Sequence, residues 1–359
     1  MRLDLCESLF SSFSVDQGTK ALLNSIRKDE AIDYSKILDL GCGYGPIGLF
    51  LKAQDPSREV HMADRDALAV DFALHNAALN HLDVSTYPSL DYEQVRGIFS
   101  LIATNFPAKL APKGLTAFVY RASNHLSDNG VLAVVVVRAL AGKLENILDN
   151  SIIRVLYRED KKGYCIRHIA FNEKCSSSAN IYERQKMELN LTTIYMVKTA
   201  YGLPEFDTLG YGTQCLLSVL EGMNGYDSVC VLEPGQGHVA IAVMDLLKPK
   251  ELVLASRDLL SLTFARQNVA DNFGFEPRTK HVSYLKNPPE QELTVCNVAN
   301  KKDFEPNARN FETLLKGGKP ILVYGEKSVL RALFAKKSMT VLKEVVQKNY
   351  CAQLVEPKR

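Results

Sequence analysis

Short apolar runs of strand length alternate along this chain with stretches in which apolar residues recur at helical spacing. The run Ile37–Leu40 leads through a glycine-rich stretch into a segment with Ile47, Leu49 and Phe50 on a helical face. The same order of strand and helix continues downstream, which is typical of parallel βαβ units. The next predicted elements are a strand Glu59–Asp64, a helix Ala67–Asn80, a strand Phe99–Asn105, a helix Leu115–Leu126 and a strand Val131–Val137.

The predicted parallel series ends in an antiparallel hairpin. Two further runs, Ile152–Tyr157 and Tyr164–Phe171, flank the short charged segment Arg158–Gly163. A short polar connection containing glycine is typical of paired antiparallel strands. We therefore expect a mostly parallel sheet with a hairpin at one edge.

The same signals return about 190 residues later. The matched pairs are the Gly-Thr dipeptides at 18 and 212, the segments Ala63–Asp66 and Ala255–Asp258, and the glycine-containing segments Ile37–Gly43 and Val231–Gly237. Several matches in one order indicate a duplicated α/β domain. We predict a first domain at residues 1–173 and a second at residues 181–359, joined by an exposed polar linker near Ser176–Ser178.

The second copy departs from the first in this alignment. Pro234 enters the loop, Val239 takes the position of Gly45, and Ser256 takes the position of Asp64. A side chain in place of the third glycine obstructs a ligand, and the lost carboxylate removes a strong hydrogen-bond acceptor. We therefore expect the second domain to be degenerate and free of cofactor.

The first copy carries an acid and three alternating glycines, Asp39-x-Gly41-x-Gly43-x-Gly45, between a strand and a helix. Gly43-x-Gly45-x-x-Gly48 alone also has the spacing of a dinucleotide site. A carboxylate inside the strand repels a pyrophosphate but suits a cationic amino-acid group. The pattern favours an amino-acid-bearing cofactor, with a nicotinamide or flavin site and a glycine turn without ligand as alternatives.

This pattern resembles the first motif of the class I S-adenosylmethionine-dependent methyltransferases, whose sheet also ends in an antiparallel hairpin. The resemblance implies two tandem Rossmann-like α/β domains, each with a mostly parallel seven-stranded sheet, and S-adenosylmethionine as the cofactor. It implies that the loop holds the methionine part of the cofactor and that Asp64 accepts hydrogen bonds from the ribose. The residues implied to bind the cofactor are Asp39, Gly41, Cys42, Gly43, Gly45, Asp64, Arg65 and Asn105.

The segment Asn105-Phe-Pro-Ala108 ends the predicted strand Phe99–Asn105. Members of the family that methylate exocyclic base amines have Asn/Asp-Pro-Pro-Tyr/Phe here, with a polar side chain for the amine and an aromatic ring for the extruded base. The resemblance implies that Asn105, Phe106 and Pro107 are catalytic, and that Phe106 or another nearby ring replaces the aromatic residue missing at Ala108. The alternative is that Asn105 caps a strand turn and Phe106 fills the core.

Two other segments bear on the site. Ser89–Tyr92 aligns with the third motif of the family, where Leu90 lacks the polar group that would meet the adenine amine and Asp91 is one residue out of register. We expect backbone groups to recognise the adenine. Asn287–Glu290 has an Asn-Pro-Pro sequence but precedes the strand Leu293–Cys296, so we expect a proline turn there.

One intact and one degenerate domain, with Phe13–Gly18 ahead of the first motif, resemble the bacterial ribosomal RNA guanine exocyclic-amine methyltransferases of the methyltransferase small domain family. In those proteins the degenerate half usually comes first, whereas here it comes second. The resemblance implies that the chain methylates an exocyclic base amine of ribosomal RNA, with RNA as its partner. The alternatives are a methyltransferase for a protein or small molecule, which Ala108 favours, and a non-catalytic RNA- or protein-binding module.

Composition adds limits to this picture. The formal net charge of +2 neither requires nor excludes nucleic acid, and nothing indicates DNA specificity. The eight cysteines include no Cys-x-x-Cys pair, which suits a reducing compartment and indicates no metal site. The longest apolar run, Val131–Val137, is too short to span a membrane, so we expect a cytoplasmic protein. The oligomeric state stays open, with a monomer whose two domains pack as a pseudo-dimer as one alternative.

Overall fold

The computed structural model describes residues 1–9, 14–28, 32–107, 112–175, 182–298, 304–335 and 337–358, with the backbone alone at 112 and 113. The chain divides into two compact units, which we call the N-terminal unit (Met1–Tyr182) and the C-terminal unit (Glu183–Arg359). The predicted linker near Ser176–Ser178 lies outside the described residues.

The N-terminal unit has a seven-stranded sheet in the order β3-β2-β1-β4-β5-β7-β6. Its strands are β1 Lys36–Leu40, β2 Glu59–Asp64, β3 Ser85–Pro88, β4 Phe99–Asn105, β5 Leu126–Val137, β6 Ile153–Asp160 and β7 Tyr164–Phe171. Neighbours from β3 to β5 pair in parallel, and β7 pairs antiparallel with both β5 and β6.

Five α-helices connect these strands in the described part of the unit. They are α1 Gln17–Lys28, α2 Pro46–Gln54, α3 Ala67–Leu79, α4 Pro112–Ala122 and α5 Ala141–Leu148. Local sequence fixes the starts of several helices. Pro46 needs no hydrogen-bond donor at the first position of α2, and the Asp66 side chain caps α3 by accepting from Leu68 N at 2.9 Å.

The C-terminal unit repeats this architecture, with strand order β12-β11-β10-β13-β14-β16-β15 and an additional two-stranded sheet, β8-β9. Its strands are β8 Glu183–Asn190, β9 Ile194–Ala200, β10 Ser228–Leu232, β11 Glu251–Ser256, β12 Arg278–His281, β13 Leu293–Asn297, β14 Ile321–Glu326, β15 Met339–Gln347 and β16 Tyr350–Pro357. Its helices are α6 Tyr211–Leu220, α7 His238–Leu246, α8 Leu259–Phe273, α9 Phe304–Lys316 and α10 Lys327–Phe334.

The predicted fold class is confirmed, because both sheets are mostly parallel and end in an antiparallel hairpin. Several boundaries differ from the prediction. Helix α4 spans Pro112–Ala122 instead of Leu115–Leu126, and strand β6 ends at Asp160 instead of Tyr157. Strand β5 begins at Leu126, because its pairing with β4 is irregular and skips the residues between Leu126 and Val131. Gly130 is needed there, since a Cβ at this position would lie 2.9 Å from Phe99 O.

The sheet of the N-terminal unit places its candidate site. The alternating side chains of β1, β4 and β5 are buried between the sheet and its helices, so these strands form a rigid base. Their carboxyl ends meet at one edge of the sheet, where ligands of open α/β sheets bind. Among the described residues, no helix is both long and apolar enough to cross a membrane.

Candidate active site

The segment between β1 and α2 crosses the carboxyl edge of the sheet as a glycine turn. Gly41 N and Cys42 N both donate to Ala63 O of β2, at 2.8 and 3.1 Å. Gly41 and Gly43 have φ values of 75° and 56°, and a Cβ at either position would meet no heavy atom within 4 Å. The turn therefore leaves open space above its backbone, where a ligand can approach closely.

The far side of the turn is packed against the sheet. A Cβ at Gly45 would lie 2.9 Å from Leu49 Cδ1, and a Cβ at Gly48 would lie 2.7 Å from Met62 Cγ. These two glycines allow α2 to approach β2 closely, which fixes the N-terminus of the helix beneath the turn.

Asp39 lies on β1 and is fully buried. Its Oδ2 accepts from Gly48 N at 2.8 Å, and its Oδ1 has no hydrogen-bond partner among the described residues. Burial raises the pKa of the Asp39 carboxyl to about 7; the Gly48 hydrogen bond lowers it and the charge of Asp64 raises it. The bond to Gly48 ties β1 to α2, and the contact of Asp39 with the cofactor stays a prediction.

Asp64 ends β2 beside the turn and is half-buried. Its Oδ2 accepts from Gly43 N and its Oδ1 from Asp66 N, both at 2.9 Å. These two bonds orient the Asp64 carboxylate beside the turn. Arg65, the next residue, is also half-buried on the way to α3.

Cys42 contributes backbone to the turn, while its side chain is buried. Burial raises the pKa of the Cys42 thiol well above its ordinary value, and the charges of Asp64 and Asp39 act in the same direction. The thiol therefore stays protonated and is not a nucleophile.

Asn105 ends β4 opposite Val135 of β5. Its Nδ2 donates to Asp16 Oδ2 and to Thr19 Oγ1, each at 3.0 Å. Its Oδ1 accepts no hydrogen bond from the residues that the structure describes. The amide is therefore held at one end and has an unused acceptor at the other.

The residues after Asn105 differ from the expectation for a stacking platform. Phe106 is only 1% exposed, and its ring packs edge-on against Phe118 with centroids 5.1 Å apart. The ring belongs to the core because Phe106 N donates to Val135 O at 2.9 Å, which continues the line of β4 and turns the side chain inward. Pro107 is exposed, and Ala108 lies outside the described residues.

The segment after β3 is organised around its own side chains. Leu90 is buried, and its backbone N donates to Gln94 Oε1 at 2.7 Å. Asp91 pairs with Arg121 of α4 at 3.1 Å. Burial raises the pKa of Asp91 to about 7, although the Arg121 charge lowers it. Asp91 therefore faces the protein interior in this structure.

The strand pairings correct the alignment of the two glycine loops. Leu40 pairs with Ala63 in one unit and Leu232 with Ala255 in the other. Glu233 N donates to Ala255 O at 2.8 Å, as Gly41 N does to Ala63 O. Glu233 therefore takes the place of Gly41, and Gly237 that of Gly45; the predicted match of Val239 with Gly45 is wrong by two residues.

In the C-terminal crevice, larger side chains take the places of Gly41 and Val135, whereas the space above Gly235 is open. Glu233 has φ 57°, and its carboxylate accepts from Ser256 Oγ at 2.6 Å and Arg257 N at 3.0 Å. Tyr324 takes the place of Val135, is buried, and is hydrogen-bonded by Asn297. The prediction that Ser256 is the equivalent of Asp64 agrees with the pairing of the strands, because both residues end the second strand of their sheets.

Sequence reasoning missed two features of these crevices. It assigned no role to Asp16 and Thr19, which hold Asn105 from the start of α1; the polar residues within Phe13–Gly18 were the available signal. It also passed over Asn297, which ends β13 as Asn105 ends β4, because the nearby Asn287 carries the more conspicuous Asn-Pro-Pro sequence.

Comparisons with known proteins show what this chain is similar to. The family described as "Methyltransferase small domain" matches residues 2–168. The uncharacterized protein YbxB of Bacillus subtilis is 34% identical over 167 residues, which cover 44% of this chain and 80% of that protein. Ribosomal RNA small subunit methyltransferase C of Haemophilus influenzae is 34% identical over 131 residues, 35% of this chain and 39% of that protein. The match thus spans about two fifths of that curated relative.

A solved structure resembles the whole chain. The T. thermophilus 16S rRNA N2 G1207 methyltransferase (RsmC), in complex with AdoMet and guanosine, has a TM-score of 0.69. The match covers 96% of this chain and 92% of that one at 15% identity. At this identity the likeness shows the tandem fold alone.

Proposed function

Because the chain belongs to the methyltransferase small domain family, we propose that its N-terminal unit methylates an exocyclic base amine of ribosomal RNA. Membership of the family confirms the methyltransferase class and the S-adenosylmethionine cofactor that the glycine motif predicts. The observation that carries the proposal is the amide of Asn105, which is fixed through Nδ2 and keeps Oδ1 available at the carboxyl edge of the sheet.

The N-terminal unit fits an adenosyl cofactor. The space above Gly41 and Gly43 is open, and Asp64 presents a half-buried carboxylate beside it. We propose that the turn from Gly41 to Gly45 holds the methionine part and that Asp64 accepts hydrogen bonds from the ribose. S-adenosylmethionine supplies, when bound, a methyl group on a positively charged sulfur. Asp39 supports this site from below by tying β1 to α2.

On the acceptor side, Asn105 orients an amine. Its Oδ1 is suited to accept a hydrogen bond from an N–H group, which aims the nitrogen lone pair towards the donor side of the crevice. An exocyclic base amine needs no strong base, because the methylated nitrogen readily releases its extra proton to water. Since Phe106 is buried, we do not assign it the stacking role that the sequence predicts.

The choice of RNA is supported by the name of one relative. The Haemophilus influenzae relative is named for ribosomal RNA, and its similarity extends over 131 residues, 35% of this chain. The buried ring of Phe106 favours the competing proposal, a protein or small-molecule acceptor, because the aromatic residue next to Asn105 packs into the core and does not face a base.

We also propose that the C-terminal unit binds no cofactor and acts as a structural or RNA-contacting domain. Its support is Glu233, whose carboxylate is bonded to Ser256 and Arg257 at the place where the N-terminal unit is open. The domain limits 1–173 and 181–359 stay a prediction.

The test is methyl transfer from tritiated S-adenosylmethionine to three acceptors: small-subunit ribosomal RNA lacking modifications, total protein, and a small-molecule extract. We expect label in the RNA. Asn105→Ala should lower turnover by roughly 10²-fold while the cofactor affinity changes little, because the contact is made to the acceptor. Asn297→Ala is the matched control and should transfer normally. Label in protein or extract alone would reject the RNA acceptor, and full activity of Asn105→Ala would reject the role of the amide.

A further inference from the structure

We propose that Asp16 is a positioning residue that sets the direction of the Asn105 amide, so that the carbonyl oxygen and not the NH₂ group faces the acceptor. This inference rests on the proposed amine-methylating function of the same site. Asn105 alone has no preferred direction, because its two ends are almost identical in shape. Something in the protein has to distinguish them.

Asp16 distinguishes them by its chemistry. Its Oδ2 lies 3.0 Å from Asn105 Nδ2 and also accepts from Gly18 N at 2.8 Å and Thr19 N at 3.2 Å. An ionised carboxylate only accepts hydrogen bonds, so the amide must turn its NH₂ group towards Asp16. The two backbone donors hold the carboxylate in place at the start of α1.

Thr19 does not provide this direction. Its Oγ1 lies 3.0 Å from Asn105 Nδ2, but a hydroxyl both donates and accepts and would serve either orientation of the amide. Gly18 makes the arrangement possible, since a Cβ there would lie 2.8 Å from Asp16 Oδ2. The Asp16 carboxylate is therefore the group that connects the start of α1 to the Asn105 amide in a fixed direction.

The C-terminal unit lacks this arrangement. Gly210 precedes α6 where Asp16 precedes α1. The carboxylate of Glu205 bonds instead to Gly210 N at 2.8 Å and to Thr213 Oγ1. The position before the helix thus holds an aspartate in the N-terminal unit and a glycine in the C-terminal unit.

A polarity exchange tests the proposal. Asp16→Asn allows the Asn105 amide to rotate by 180°, which exchanges its oxygen and its NH₂ group. This variant should lower kcat for methyl transfer by about 10²-fold, with little change in cofactor affinity. Asn105→Asp should also lose about 10²-fold, because it places two carboxylates together. The double variant Asp16→Asn/Asn105→Asp restores a donor facing an acceptor and should recover to within about 10-fold of the wild type. A purely structural role predicts additive losses, and additivity would overturn the proposal.

Two matched variants complete the design. Thr19→Val removes the other bond to the amide without reversing its direction, so its loss in kcat should be about 10-fold smaller than that of Asp16→Asn. Asp33→Asn changes an exposed carboxylate that bonds to Ser35 ahead of β1, and its activity should equal that of the wild type. Equal losses for Thr19→Val and Asp16→Asn would also overturn the proposal.

A measurement without substrate separates this inference from the proposed function. With nitrogen-15 asparagine labelling, the side-chain protons of Asn105, assigned from the Asn105→Asp spectrum, should be protected from solvent exchange in the wild type. Protection should fall at least 10-fold in Asp16→Asn. Protection together with wild-type inactivity on RNA would support the positioning role and reject the RNA acceptor. Unprotected protons in an active wild type would reject the positioning role alone.

Discussion

Gly41 and Glu233 occupy equivalent positions at the carboxyl ends of β1 and β10, and both donate a backbone hydrogen bond to an alanine of the adjacent strand. The backbone course is thus shared, and the side chains differ. Above Gly41 the space is open, whereas the carboxylate of Glu233 bonds to Ser256 within its own crevice. The comparison teaches that this fold can change the chemistry of its crevice through a few side chains while its sheet and the backbone of its loop remain.

The acceptor side shows the same contrast. Asn105 and Asn297 end equivalent strands. Val135 beside Asn105 is small, whereas Tyr324 beside Asn297 is large, buried and hydrogen-bonded to it. The same residue type at the end of equivalent strands therefore has different surroundings in the two units, set by its neighbour across the sheet.

The largest expected effect comes from transplanting the closed crevice. Gly41→Glu/Asp64→Ser gives the N-terminal unit the pair found in the C-terminal unit and should abolish cofactor binding, at least 10²-fold in Kd, because the new carboxylate fills the open space. Calorimetry should give one site in the wild type and none in this variant. The converse change, Glu233→Gly/Ser256→Asp, is the control and should leave the first site intact. Undiminished binding by the transplanted variant would break the comparison.

Phe106→Ala should have the next largest effect. The ring is buried against Phe118, so its removal should destabilise the N-terminal unit by about 3–5 kcal/mol, without selective loss of RNA affinity in the folded protein. Val298, the equivalent residue, is also fully buried, and Val298→Ala should cost less because it removes fewer atoms. Denaturant unfolding measures both variants. If Phe106→Ala were as stable as the wild type but bound RNA more weakly, the ring would have the stacking role at the acceptor site.

Asp64→Ala sharpens the cofactor half of the comparison. The loss of a charged acceptor should weaken S-adenosylmethionine binding by about 1.5–3 kcal/mol, while Ser256→Ala should leave the affinity unchanged. Equilibrium binding of the cofactor provides the measurement. An equal loss of S-adenosylmethionine affinity in the two variants would mean that both crevices bind the cofactor.

The smallest effect concerns pH. The folded-state pKa of Asp39, about 7, lies above the unfolded value, so the folded state binds the proton more tightly and loses stability as pH rises towards 7. Val231, the equivalent residue, carries no such cost. Asp39→Asn should therefore remove a slope of at most about 1.4 kcal/mol per pH unit between roughly pH 5 and 7. The measurement is the unfolding free energy across this pH range, with Asp33→Asn as the control. If Asp39→Asn kept the slope of the wild type, the slope would not come from Asp39.

Much of this molecule follows from its sequence, and particular residues show where sequence reasoning ends. The strands, the glycine turn and the hairpin were predictable because apolar period and turn residues act locally. The alignment of Gly235 and Gly237 with the glycines of the first loop was not predictable, because glycines spaced two residues apart match equally well in two registers. The pairing of Leu232 with Ala255 decides between them. Likewise, the direction of the Asn105 amide depends on Asp16, a contact 89 residues away in sequence.

Glu233 keeps a left-handed backbone conformation, φ 57°, at a position where a non-glycine residue pays about 1 kcal/mol or more for it. The turn in the C-terminal unit thus keeps the same backbone course with a non-glycine residue at this position, and the Glu233 side chain lies where Gly41 has none. Its conformation is imposed by the bond to Ala255 and by the adjoining helix. Backbone bonds of the same kind exist around Gly41, so contacts within the protein fix the course of the N-terminal turn. Binding there loses little backbone entropy, and encounter need not wait for a loop to fold.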